Sequence, residues 1–188
     1  MSKLIYFMPT SLDGFIAGET DNMDWSAPDE EVSAFINDLH RPIGTYLYGR
    51  KNYETMTIWE TPDVIPGRTP AMMDFGRIWQ AADKIVYSKS LEAVSTPKTR
   101  LEREFEPPVV RDLKTQLPHD MSVAGPNLAA QAIRAGLVDE YQLLVVVLER
   151  LTRYATEHVP IGGDAVLATP FEQRQVANRA RSLLQQPQ

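Results

Sequence analysis

The sequence predicts an α/β domain, a mostly parallel sheet with helices on its faces. Two observations carry that expectation. Apolar or β-rich runs recur at Leu4–Met8, Tyr46–Tyr48, Lys84–Ser88, Met121–Ala124 and Tyr141–Leu148. Between them apolar residues return at helical spacing, at Val32, Phe35, Ile36 and Leu39 and again at Phe75, Ile78, Trp79 and Ala82. Strand and helix alternating in this way argue for a parallel sheet covered by helices.

Leu4–Met8, closed by Pro9, reads as a central strand buried on both faces. Thr10 to Gly18 reads as a loop folded over something, with Gly14 and Gly18 bracketing Phe15 to Ala17, and Glu19 to Asp24 as a polar tip ending at Trp25. A helix is expected over Asp29–Leu39, with Ser26-x-x-Asp29 as a capping box and Pro28 in its first turn. On a helical wheel Asp29 and Glu31 flank its apolar stripe, and Glu30 points away. Thr57 to Pro70 reads as loop, followed by a helix near Met73–Ala82. Val94 to Arg103 reads as a polar edge strand, and Val109-Val110 as a short strand before a helical turn at Asp112 to Leu117. Met121–Ala124 leads through Gly125-Pro126-Asn127 into a helix that Gly136 stops. Tyr141–Leu148 is the longest apolar run and reads as another buried strand. After it come a turn at Gly162-Gly163 and a polar stretch from Phe171 to Gln188.

At 188 residues, 43% hydrophobic and 23% charged, the chain can bury a core. No repeat or linker divides it, so a single domain over 1–188 is expected, atypical after Leu148. The formal net charge is -6 and no basic block occurs, which disfavours nucleic acid as a partner. There are no cysteines, so disulfide frameworks, thiolate metal sites and cysteine nucleophiles are excluded. The apolar run near Met1 is too short for a signal sequence, and no run is long enough to span a membrane. A cytoplasmic protein is the default expectation. His40, His119 and His158 sit in unrelated contexts and are expected at the surface; no metal-spaced cluster or nucleophile elbow supports a hydrolase.

Ligands of open α/β sheets bind beyond the carboxyl ends of the strands. Three such ends carry polar or glycine turns: Tyr48 into Gly49-Arg50-Lys51, Tyr87 into Ser88-Lys89-Ser90, and Ala124 into Gly125-Pro126. Gly49-Arg50-Lys51 passes from strand to helix start, where free N–H groups and two cations suit an anion.

Ser11-Leu-Asp-Gly-Phe-Ile-Ala-Gly18, Asp24-Trp25, Tyr48-Gly-Arg-Lys-Asn-Tyr-Glu54, Asp83-Lys-Ile-Val-Tyr-Ser88, Val123-Ala-Gly-Pro126 and Gly136-Leu-Val-Asp-Glu140 occur in an order and spacing that resembles the dihydrofolate reductase-like superfamily. Within it the chain is most similar to the branch holding the reductase domain of the bifunctional riboflavin enzyme, the RibD C-terminal type. The resemblance implies a three-layer fold with a mixed, mainly parallel central sheet that binds NADPH. It implies cofactor contacts from Ser11, Leu12, Ala17, Gly49, Arg50, Lys51, Asn52, Ser88, Lys89, Gly125, Pro126, Asn127 and Leu128. It implies a proton-handling carboxylate early in the first helix. Asp29, Glu30 and Glu31 compete for that role, the wheel preferring Asp29 or Glu31, and Asp13 lies on the loop over the nicotinamide. Trp25 and Phe35 are candidate walls for a planar substrate, though core packing is the first expectation for Phe35. The implied activity is reduction of a pteridine- or aminouracil-like heterocycle by NADPH, with a heterocycle-binding protein that lacks turnover as the alternative. A homodimer is a family expectation. The chain departs from the family where Leu148-Glu-Arg-Leu151 replaces a glycine-rich turn.

Overall fold

The computed structural model describes residues 1–11, 14–16 and 28–146. The chain falls into two compact units, Met1–Met8 with Ala27–Leu143 and Pro9–Ser26 with Leu144–Gln188. Its strands form one six-stranded sheet of order β4-β3-β2-β5-β1-β6, from β1 (Leu4–Ser11), β2 (Ile43–Gly49), β3 (Asp83–Tyr87), β4 (Thr99–Glu102), β5 (Asp120–Ala124) and β6 (Glu140–Val146). The pairings β1–β5, β5–β2, β2–β3 and β3–β4 are all parallel. Helices cross between them: α1 (Glu30–His40), α2 (Arg50–Met56), α3 (Pro70–Ala81), α4 (Pro107–Gln116) and α5 (Pro126–Arg134). Two 3-10 turns, Thr57–Glu60 and Pro62–Val64, occupy the expected loop before α3.

Alternate residues of the strands feed two cores, as the period of two in a strand requires. Leu4, Leu47, Met121 and Val123 pack with Val110 of α4 and Leu128, Ala129 and Ala132 of α5. Ile5, Tyr46, Tyr48 and Val86 pack with Tyr53 of α2 and Trp79 of α3. Trp79 is fully buried and its indole N–H donates to the Tyr48 hydroxyl at 3.1 Å, which satisfies the polar edge of the largest core side chain. Helix α5 ends as expected: Gly136 has φ +64, and Leu137 N–H returns to Ala132 O at 3.0 Å.

Several expectations are corrected. Val109 and Val110 lie in α4, because Pro107 and Pro108 start a helix and Val110, Leu113 and Leu117 form one packed face. Pro9 lies inside β1; the ladder with β5 covers Leu4 to Tyr6, so it does not use the N–H that Pro9 lacks. Strand β6 is an edge strand of the described sheet and only half-buried, with Tyr141 and Leu143 more than half exposed, because alternate side chains project from one uncovered face. His40 is buried rather than at the surface. Its Nδ1 lies 3.1 Å from the Tyr46 hydroxyl, and burial lowers its pKa to about 4. The ring of His119 packs over Gly44, where an added Cβ would collide with it.

The first helix also differs. Asp29 is itself the N-cap, accepting from Val32 N–H at 2.8 Å, and Pro28 precedes the helix. The apolar stripe is not the buried face: the buried residues are Asn37 and His40, and Phe35 is 45% exposed. The inner face is polar because α3 supplies partners. Glu30 Oε1 accepts from Ala71 N–H at 3.0 Å, and Asn37 Nδ2 donates to Ala71 O at 2.8 Å and to Asp74 Oδ2 at 3.1 Å. Glu30 therefore points toward the packed side, not away from it. The Ser26 half of the expected capping box, the polar loop Glu19 to Asp24, the turn at Gly162-Gly163, the stretch from Phe171 and His158 lie outside the described residues.

Candidate functional site

The register levels three strand ends. Gly49 of β2 faces Tyr87 of β3, and Tyr48 of β2 faces Ala124 of β5. Adjacent strands lie about 4.8 Å apart, so Gly49, Ser88 and Gly125 leave the sheet side by side.

Gly49 and Gly125 are the N-caps of α2 and α5, and neither helix has a side-chain cap. Pro126 at the first position of α5 has no N–H, so the orphan donors there are those of Asn127 and Leu128. Gly125 has φ +94 and ψ 130, a conformation that other residues adopt only with strain. A Cβ added to it would come within 3.6 Å of the Asn52 Cβ and 3.9 Å of Gly49 N, so its missing side chain leaves a hollow between the two helix starts. Asn52 Oδ1 is buried beside that hollow without a hydrogen-bond partner. A buried amide oxygen left unpaired costs free energy, so a ligand donor would complete it. These features fit a dinucleotide whose phosphates approach the N–H groups of α5 and whose hydroxyls reach Asn52.

The third strand end is built differently. Ser88 Oγ accepts from Ser90 N–H at 3.3 Å and Leu91 N–H at 3.0 Å, and so shapes the turn that carries Lys89. Lys89 pairs with Glu104 at 2.9 Å, and Arg50 lies 3.8 Å from Glu54. Such exposed pairs contribute little and yield readily to a stronger anion. Arg103 Nη1 donates to Ser88 O at 3.1 Å and Leu91 O at 2.6 Å, and it has no carboxylate partner among the described residues. Sequence reasoning missed Arg103. It stands one residue past the end of β4, and the same strand-end rule that singled out Lys89 would have found it.

Of the acids proposed for proton handling, Asp29 caps α1, Glu30 caps α3, and Glu31 is exposed. Ser11, in the second unit, closes a local turn: Phe15 N–H donates to its Oγ at 2.9 Å and Gly14 N–H to its carbonyl at 3.0 Å. Leu12, Asp13, Ala17 and Trp25 lie outside the described residues. Two open concavities border the amino-terminal end of the sheet, one beside Arg41, Gly44 and Arg77, the other beside Thr45, Lys98 and Arg100. Neither is lined by a residue with an orphaned buried atom, so the carboxyl end is the better candidate. Among the described residues no group of three or more His, Cys, Asp or Glu could hold a metal, and no helix is long and apolar enough to cross a membrane.

Parallel strands in this order, flanked by helices on both faces, define an α/β protein of the dihydrofolate reductase-like type. The chain belongs to the RibD C-terminal domain family, whose model matches residues 2–149. Among curated proteins it is 24% identical over 150 residues to the uncharacterized protein YyaP of Bacillus subtilis, covering 76% of this chain and 73% of that one. A solved structure of similar fold is a putative riboflavin biosynthesis protein from Shewanella sp. PV-4, with a TM-score of 0.55 at 18% identity over 77% of this chain and 78% of the other. A diaminohydroxyphosphoribosylaminopyrimidine deaminase/5-amino-6-(5-phosphoribosylamino)uracil reductase from Thermotoga maritima also matches, at 13% identity and a TM-score of 0.44, over 89% of this chain and 52% of that longer one.

Proposed function

We propose that this protein is an NADPH-dependent reductase of a small conjugated heterocycle, of pteridine or aminouracil type. The observation that carries the proposal is the hollow at Gly125, flanked by the uncapped start of α5 and the orphaned Asn52 Oδ1. When bound, NADPH would supply the hydride. The chain's own groups bind and orient it. The N–H groups of Asn127 and Leu128 would meet the pyrophosphate, Asn52 a hydroxyl, and Arg50, Lys51, Lys89 and Arg103 the ribose phosphate that distinguishes NADPH from NADH. Of the early-helix acids Asp29 and Glu30 serve as helix caps, and Glu31, which flanks the apolar stripe, is the one whose part in handling a proton the experiment below tests. That commitment of two of the three acids also favours the second reading, a heterocycle-binding protein of the same fold without turnover.

One experiment separates the two readings. NADPH oxidation is followed at its absorbance band with the full chain and a panel of pteridines and aminouracils. Oxidation that disappears in Glu31→Gln supports the reductase. NADPH binding with no oxidation across the panel supports the second reading.

A further inference from the structure

The 11-residue connection from Ser88 to Lys98 carries the third strand end, yet it has no helix or strand of its own. What holds it is a side chain from α2. Tyr53 is 2% exposed, and its hydroxyl oxygen accepts from Ser95 N–H at 2.8 Å and from Thr96 N–H at 3.1 Å. Ser95 Oγ at 3.3 Å and Thr96 Oγ1 at 3.1 Å surround the same oxygen and can take its proton. Thr96 Oγ1 continues to Thr99 Oγ1 at 2.8 Å, at the start of β4. The tyrosine ring packs in the core with Tyr48, Trp79 and Val86, against which Leu91 and Val94 of the connection also pack. At the other end of the connection Arg103 clamps Ser88 and Leu91.

We infer that Tyr53 is a positioning residue for cofactor discrimination: it locks the Ser88–Lys98 connection to α2, so that Arg50 and Lys51 on one strand end and Lys89 and Arg103 on the next form one preorganised anion site. The inference rests on the NADPH reading of that site. Its physical basis is chain entropy. An 11-residue connection pinned only at its ends samples many conformations, and a ligand that needs it ordered must supply that ordering on binding. Tyr53 removes that cost beforehand by satisfying two backbone donors that would otherwise be buried or solvated in a looser loop. A ligand with a ribose phosphate uses both strand ends. One without it uses the Gly49–Gly125 hollow alone and is indifferent to the connection.

The test is Tyr53→Phe, which keeps the ring and its packing and removes only the hydroxyl, with the bonds it accepts and donates. NADPH and NADH are titrated into the full-length variant and wild type, and amide exchange at Ser95 and Thr96 is measured in both. Faster exchange at the two amides is expected, with NADPH affinity falling about ten-fold or more, since each of the two donors left unpaired is on that scale, and NADH affinity changing less than about two-fold. Thr96→Val, an isosteric change on the loop side, should shift the NADPH:NADH ratio in the same direction by a smaller factor. Faster exchange with an unchanged ratio in both variants would mean that Tyr53 only stabilises the fold, and would overturn the inference alone. Wild type binding neither cofactor would overturn the site reading and the inference together.

Discussion

Gly125→Ala perturbs the proposed cradle with the smallest available change. At φ +94 and ψ 130 an alanine is strained whatever the space around it. Residues held in such sparsely populated regions cost about 1–3 kcal/mol, and at about 2–4 °C per kcal/mol for a chain of this size that lowers the melting temperature by roughly 2–12 °C. The nearest atoms to the new methyl are 3.6 and 3.9 Å away, so it fits without collision and the folded state survives. The methyl then fills the hollow in which the dinucleotide would approach the start of α5. A loss of about ten-fold or more in NADPH affinity is expected, at about 1.4 kcal/mol per ten-fold. Gly136→Ala is the control. Its φ is +64 and nothing lies within 4 Å of an added Cβ, so it carries a backbone cost of about 1–2 kcal/mol with no binding effect. Fluorescence titration of NADPH and thermal melts read the two quantities separately. Gly125→Ala binding as tightly as wild type would refute the cradle, as would an equal loss of affinity in Gly136→Ala.

Other expectations concern charge. Arg50→Ala combined with Lys51→Ala should weaken NADPH binding more than NADH binding in parallel titrations; equal losses would show that the pair does not read phosphate charge. His40 binds a proton in the unfolded chain near its ordinary pKa of 6.5 and in the folded chain near 4. Between those values the unfolded state holds the extra proton, so folding stability should fall as pH drops from about 6.5 to about 4, by up to about 3 kcal/mol. Denaturant unfolding across that window should show the slope in wild type and lose it in His40→Phe. Asp139 opposes its own burial by accepting from Lys114 Nζ at 2.8 Å and Leu4 N–H at 2.7 Å, which hold its pKa below 3.8. Its contribution is present above the carboxylate range and lost as pH falls through that lowered value. Asp139→Asn should therefore cost about 1–3 kcal/mol at neutral pH, the scale of hydrogen bonds to a charged group. The cost should lie at the small end of that range because Asp139 is partly exposed. The gap to wild type should begin to narrow below about pH 4 and close as pH falls through the lowered folded value; a gap that does not narrow with acid would exclude the carboxylate charge as its source.

The parts of the fold legible in the sequence are those written in hydropathy. Tyr46–Tyr48, Ile85-Val86 and Met121–Val123 are buried on both sides of the sheet, so their apolar runs announce them. Gly136 after α5 is equally plain, because only a positive φ lets the helix end in that motif. Where tertiary partners decide, the signal disappears. Asn37 and His40 of α1, which pattern reading assigns to solvent, are buried because α3 and β2 supply their partners, and Glu30, though exposed, bonds to α3 as well. Val109-Val110 has β-branched side chains, yet the prolines before it set a helix. At the site, Gly49 and Gly125 are legible because each stands where a strand passes into a helix, and at Gly125 the positive φ favours glycine. Arg103 is within reach of the strand-end rule, but Tyr53 is not, because it acts on a connection far from it in sequence through backbone atoms that no side-chain pattern records.

The central claim is that the carboxyl ends of β2, β3 and β5 together hold one NADPH. Titrating NADPH and NADH into the full chain, with nicotinamide fluorescence as the readout, tests it directly. Saturable binding with NADPH preferred over NADH is the expected result. No change in fluorescence up to high micromolar NADPH would contradict it.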